Sequence, residues 1–309
     1  MTTTVALLSR SVGMDFLRPL LLAADPTLDV VTWPDPRCLD AEVAACWQSP
    51  PGVYARMPNL KLVHSIAAGV DNVVADQDLR GLPVCRVVDP LLADGMLQFV
   101  LWGVLHFHRR IDQAMASQRQ REWKRPLQTP ASSCRVGLMG LGELGSHIAS
   151  FLPSLGYTVS GWARTPREMA GVAVFSGDAG FEPFLAQADV LVCLLPLTPS
   201  TRGILNARTF AAMPEGSALI HCGRGEHLVE ADLRAALDSG RLRGAVIDVF
   251  EHEPLPPDNP LWQAPGVVVT PHMATMAAFD VVAAQIARNV AQLRAGAPLF
   301  NQVDMARGY

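Results

Sequence analysis

Short apolar runs recur along the chain, separated by polar or helix-capable stretches. Val5–Leu8, Val30–Trp33, Val43–Trp47, Leu62–Ile66 and Val84–Val88 lie in the first third, and Val136–Met139 near the middle. Tyr157–Trp162, Val190–Leu195, Ala218–Cys222, Ala245–Val249 and Val267–Thr270 follow. This alternation predicts βα units and parallel sheets. Two longer stretches carry one-sided apolar stripes. In Leu91 to about Gln118 the apolar positions Leu92, Met96, Phe99, Val100, Val104, Phe107 and Ile111 keep helical spacing, which predicts one long helix. Phe279, Val282, Ile286, Val290 and Leu293 form the second stripe, closed by Gly296 and Pro298. There are no internal repeats.

The run Val136–Met139 leads directly into Gly140-x-Gly142-x-x-Gly145, and Ser146 to Leu155 is helix-capable up to Gly156. A strand, a glycine turn and a helix in that order suit a dinucleotide. The first glycine permits the tight turn, the second lets backbone approach a pyrophosphate, and the third lets helix pack on strand. The helix N-terminus then offers N–H groups and a positive dipole end to phosphate. Such a turn normally follows the first strand of its domain, so the residues ahead of it predict a separate, smaller α/β domain.

The chain has 309 residues, half of them apolar, enough for two cores. A net charge of −4 gives no electrostatic reason to expect nucleic acid. The cysteines Cys38, Cys46, Cys85, Cys134, Cys193 and Cys222 are scattered without a C-x-x-C pair, so neither a disulfide framework nor a metal site is expected. The run Val5–Leu8 is too short for a signal peptide and no segment reads as a membrane span, which makes a soluble cytoplasmic protein the expectation.

In NAD sites an acidic residue at the end of the second strand binds the ribose 2′-hydroxyl. Here that position reads Trp162-Ala163-Arg164-Thr165-Pro166-Arg167, with arginines and no acid. A guanidinium grips a 2′-phosphate that a carboxylate would repel, so NADP(H) is preferred, with NAD(H) possible.

Three later runs each end in a chemically useful residue: Arg224 after Leu219–Cys222, Glu253 in Asp248–Leu255, and His272 after Val268–Thr270. Carboxyl ends of strands border the ligand crevice in doubly wound sheets, so these three can converge. Their flanks are Gly223-Arg224-Gly225, Asp248-Val249-Phe250-Glu251-His252-Glu253-Pro254-Leu255 and Thr270-Pro271-His272. Together with Ser65–Asp71 and Leu195–Gly203 they resemble the D-2-hydroxyacid dehydrogenase family, and within it the glyoxylate/hydroxypyruvate reductases. The likeness runs from about residue 45 to about residue 290.

The resemblance implies a flavodoxin-like substrate domain, residues 1–97 with 276–309. A doubly wound Rossmann dinucleotide-binding domain, residues 98–275, is inserted in it, with substrate in the cleft. It implies reduction of small 2-oxo acids to D-2-hydroxy acids, with His272 as acid paired to Glu253 and Arg224 holding the substrate. Trp47, Trp123 and backbone near Ala68 and Gly69 would line the substrate site. Cofactor contacts would come from Gly140, Gly142, Glu143, Leu144, Gly145, Arg164, Thr165, Leu195, Pro196, Thr201, Cys222, Gly223 and Asp248, the last orienting the carboxamide. Trp123-Lys124 resembles an arm that reaches a neighbouring subunit, which implies a homodimer. No nucleic-acid or membrane partner is expected.

The chain departs from the family pattern at three places. His221 replaces the usual Asn, the small residue before Arg224 is glycine, and Glu226-His227 stand where glycines or Val-His usually follow Arg-Gly. Two other readings remain open: a 3-hydroxyacid dehydrogenase, and a dinucleotide-sensing corepressor like the C-terminal-binding proteins. The mid-chain glycine turn disfavours the first, and the lack of tails or basic patches the second.

Overall fold

The computed structural model describes residues 2–74, 76–79 and 81–305, so the outermost residues of the expected first domain, 1 and 306–309, lie outside the described residues. The chain divides into two compact units, Met1–Leu91 with Met276–Tyr309, and Leu92–Thr275. The first crossing falls at 91/92, where the sequence placed it at 97/98. The reason is the helix Pro90–His108, which packs almost whole with the second unit.

In the first unit, β1 (Thr3–Ser9), β2 (Leu28–Thr32), β3 (Val43–Trp47), β4 (Leu62–Ser65) and β5 (Val84–Cys85) form a parallel sheet in the order β2-β1-β3-β4-β5. That is the flavodoxin-like order. Val5, Leu7, Ala44, Cys46 and Val63 are fully buried, as strands covered on both faces require. The helix Phe279–Ala295 lays Val282, Ile286 and Val290 inward and ends at Gly296 in the left-handed conformation.

The second unit holds β6 (Arg135–Met139), β7 (Thr158–Ala163), β8 (Val172–Ser176), β9 (Val190–Cys193), β10 (Ser217–His221), β11 (Leu242–Ile247) and β12 (Val267–Val269). All pair in parallel in the order β12-β11-β10-β9-β6-β7-β8. This is the doubly wound nucleotide-binding topology, whose strand order reverses between β6 and β9. Because all seven run the same way, their carboxyl ends share one edge of the sheet, and every candidate site residue of this unit except Trp123 follows such an end.

Three expectations need correction. The strand β8 was not expected: it is a half-exposed edge strand between Gly171 and Gly177, with weaker apolar contrast than the buried runs. The long helix is two helices, Pro90–His108 and Ile111–Arg119, broken at Arg110, which adopts the left-handed conformation. The first helix ends there because the Phe107 carbonyl accepts from both the Arg110 N–H and the Arg243 guanidinium, while His108 is fixed by Tyr157 Oη and the Thr129 carbonyl. Ile111 is consequently exposed rather than part of the buried stripe. Pro90–His108 is also long and apolar enough to cross a bilayer by length and composition, although half of that stretch is buried inside the fold. Gly103 lets it lie close on β10: a Cβ there would come within 2.7 Å of Ile220 Cδ1.

Candidate active site

The glycine turn is built as its sequence requires. Gly140 has φ +99°, and a Cβ on it would press on the Leu194 carbonyl at 3.0 Å. Gly145 is tighter still, since a Cβ would lie 1.9 Å from the Gly140 carbonyl oxygen. Gly142 differs: nothing lies within 4 Å of its would-be Cβ, so the space above its backbone is open. The helix starts at Glu143, earlier than the expected Ser146, with Gly142 as its extended N-cap and no side-chain cap. No side chain caps its first N–H groups, which fits a pyrophosphate at this turn. Glu143 is exposed and Leu144 half-buried in the first turn.

The Gly140 N–H donates to the Trp162 carbonyl at 3.0 Å, which sets the end of β7, and hence exposed Arg164 and Thr165, beside the turn. Arg167 donates from Nη1 to the Leu141 carbonyl, which Ser146 Oγ also reaches at 2.8 Å. Across the reversal point, Leu195 and Pro196 follow β9. Buried Thr201 holds their loop, donating from Oγ1 to the Pro196 carbonyl at 2.8 Å.

The three candidate catalytic residues follow adjacent strands. His272 Nδ1 and Glu253 Oε2 are 2.8 Å apart, both half-buried. Glu253 Oε1 accepts the Phe250 N–H at 3.0 Å. Burial pushes the Glu253 pKa up, but the bonds from His272 and Phe250 and the charge of Arg224 outweigh it and hold the carboxyl below its usual 4.5. Gly225 shows how close the two loops run: a Cβ there would lie 1.9 Å from the Phe250 carbonyl carbon and 2.1 Å from the Glu251 nitrogen.

Asp248 fixes the His272 loop. It is 1% exposed, and its oxygens accept from Thr270 Oγ1 at 2.7 Å and from the N–H groups of Met273 and Ala274 at 2.9 Å each. Its main-chain carbonyl accepts the His272 N–H at 2.8 Å. Burial raises the Asp248 pKa, and these donors pull against that. His272 has φ +51°, a strained conformation for a non-glycine residue that these anchors over-determine. The sequence resemblance assigned Asp248 to the cofactor; its part in seating His272 joins groups 22 to 26 residues apart and leaves no local sequence signal.

Cys193, His221 and His227, all buried, bring possible metal-ligating atoms within 4.8 Å of one another, a cluster that spacing in the sequence does not reveal. Three of the four imidazole nitrogens are already engaged, with Arg224 or the Pro196 carbonyl. Cys222 and Gly223 are buried at the end of β10. All six cysteines are free and buried. In the first unit, Trp47 ends β3, and Ser65 Oγ ties the loop of Ala68 and Gly69 by accepting from the Ala67 N–H and donating to the Gly69 carbonyl, both at 3.1 Å. Trp123 lies on the irregular segment 122–130 and is fully exposed.

Residues 101–274 match the family model described as D-isomer specific 2-hydroxyacid dehydrogenase, NAD binding domain, more than half of the chain. The chain belongs to the D-isomer specific 2-hydroxyacid dehydrogenase family. A member from Klebsiella pneumoniae 342 is 43% identical over 98% of both chains, with a TM-score of 0.93. One from Xanthobacter autotrophicus Py2, solved with NADPH and MES, is 40% identical over the whole of both chains, TM-score 0.90. An NADPH-dependent glyoxylate/hydroxypyruvate reductase from Sinorhizobium meliloti, solved with NADP and sulfate, is 36% identical over 99% of this chain and all of the other, TM-score 0.89. Family membership sets aside the 3-hydroxyacid dehydrogenase alternative. It makes the second unit the family's NAD-binding domain, and the glycine turn at 140–145 lies within the match.

Proposed function

We propose that this chain is an NADPH-preferring reductase of small 2-oxo acids, glyoxylate and hydroxypyruvate foremost, yielding D-2-hydroxy acids. The observation that carries the reading is the His272–Glu253 pair at 2.8 Å, with Arg224 following the adjacent strand of the same nucleotide-binding sheet. A hydrogen-bonded carboxylate orients the imidazole, which suits His272 to deliver a proton to a carbonyl oxygen. The planar, multiply donating guanidinium of Arg224 would hold the 2-oxo acid and polarise its carbonyl. Trp47, backbone N–H groups near Ala68 and Gly69, and Trp123 are the proposed further substrate contacts.

The reduced nicotinamide, when bound, supplies the hydride. Gly140, Gly142, Glu143, Leu144 and Gly145 would hold its pyrophosphate side, with Leu195, Pro196, Thr201, Cys222, Gly223 and Asp248 toward the nicotinamide. Arg164 and Thr165 would take the 2′-phosphate, and the NADPH and NADP bound by two relatives support that assignment. Arg164→Ala should therefore erase the preference of kcat/KM for NADPH over NADH, mainly through a higher KM for NADPH. An unchanged ratio would refute the cofactor assignment.

The proposed working form is a cytoplasmic homodimer. Six free, buried cysteines suit a reducing compartment. Exposed Trp102, Leu105, Ile111, Met115, Trp123 and Leu127 supply apolar surface for a second copy.

A further inference from the structure

Three residues flanking Arg224, His221, Gly223 and His227, all converge on its main chain. The Arg224 N–H donates to His227 Nδ1 at 2.9 Å. That bond requires an unprotonated Nδ1, so the proton of the neutral ring sits on Nε2, which donates to the Pro196 carbonyl at 3.2 Å. On the other side, the Arg224 carbonyl accepts His221 Nε2–H at 2.9 Å and the His227 N–H at 3.0 Å. Both rings are wholly buried and meet edge-on, with centroids 5.8 Å apart. Burial, reinforced by the neighbouring His227, pushes the His221 pKa down to about 3, so that ring stays neutral. Gly223 supplies the clearance: a Cβ there would come 2.8 Å from His227 Nδ1 and 3.0 Å from its Cε1. An alanine side chain at that position in this chain would therefore press into the ring.

We infer that His221 and His227 are positioning residues for Arg224, a pair of neutral imidazoles gripping both polar groups of its peptide backbone, and that Gly223 is the residue that makes room for them. The inference rests on the reading of Arg224 as the group that holds the 2-oxo acid. His227 also joins Arg224 to the Pro196 carbonyl, so the substrate-holding arginine and the loop after β9 are set by one side chain. Thr201 Oγ1 holds the same carbonyl independently, and removing the ring should disturb Arg224 more than that loop.

The test is steady-state kinetics with glyoxylate and NADPH on wild type, His227→Ala, His227→Asn and Gly223→Ala, with the NADPH Kd of each measured by nicotinamide fluorescence. His227→Ala should raise the KM for glyoxylate by about tenfold or more, from the lost bond and the released arginine, with the NADPH Kd within about threefold of wild type. His227→Asn, whose Oδ1 can accept the Arg224 N–H, should recover most of the loss. Gly223→Ala should raise the KM similarly but add nothing in the His227→Ala background, because the ring it strikes is gone. An unchanged KM in His227→Ala, or an NADPH Kd that rises as much as the KM, overturns the positioning role. Wild type with no turnover of any 2-oxo acid removes the functional reading and the role of this clamp in catalysis with it. Wild-type turnover with a KM indifferent to these substitutions removes the clamp alone.

Discussion

His272→Ala should reduce turnover of a 2-oxo acid by about 10²–10⁴-fold, the range set by loss of a positioned general acid, while NADPH binding stays within a few-fold of wild type. The split follows from the architecture. The glycine turn and Arg164 belong to β6 and β7, whereas His272 follows β12 at the far side of the sheet. The His272 ring meets Glu253 and its backbone is held by Asp248 and Thr270, none of which belongs to the glycine turn. Removing the imidazole also relieves Glu253 of its partner without leaving that carboxylate wholly unsatisfied, because Oε1 keeps the Phe250 N–H. Fold and cofactor site should therefore survive. Near-normal turnover in this variant would remove His272 from the chemistry.

Gly225→Ala should be nearly as damaging, although it deletes no functional group. A methyl at this position would occupy space held by the backbone of Phe250 and Glu251, at 1.9–2.3 Å. No rotamer change relieves a clash with main chain, so the Arg224 loop and the stretch leading to Glu253 must separate. Overpacking a buried site costs about 1–3 kcal/mol, or about 2–4 °C in Tm per kcal/mol for a domain of this size. Displacing catalytic groups by about 1 Å costs on the order of 10²-fold in rate. The expected result is a Tm lower by several degrees and kcat/KM lower by about 10²-fold or more. Gly13→Ala is the control: nothing lies within 4 Å of the added methyl, and both values should match wild type. If Gly225→Ala matched wild type too, the close approach of the two loops would be wrong.

Elements whose sequence carries their own reason for folding were legible. The runs now seen as β1, β3, β9 and β10 are continuous and apolar because both faces are covered. Gly140 and Gly145 declare themselves because only glycine tolerates their backbone surroundings. Edge strand β8 was not legible, since half of its surface meets solvent and its pattern blurs. The break at Arg110 was hidden as well, for it depends on Arg243 reaching the Phe107 carbonyl from 136 residues away. Arg224, Glu253 and His272 stand out as candidates by their motifs, but the groups that position them do not. Asp248 seats His272 through donors on a different strand end. His221 and Gly223 stood out in the sequence only as departures; in the structure the glycine's missing side chain and the imidazoles of His221 and His227 explain one another.

A site that reduces small 2-oxo acids at the expense of NADPH consumes that cofactor in step with its substrate. The direct measurement is the absorbance of NADPH or NADH mixed with purified protein and, in turn, glyoxylate, hydroxypyruvate, pyruvate and phenylpyruvate. Fast oxidation of NADPH with glyoxylate or hydroxypyruvate, slower oxidation of NADH, and weaker use of the other two acids is the predicted result. No oxidation of either cofactor with any of the four acids would contradict it.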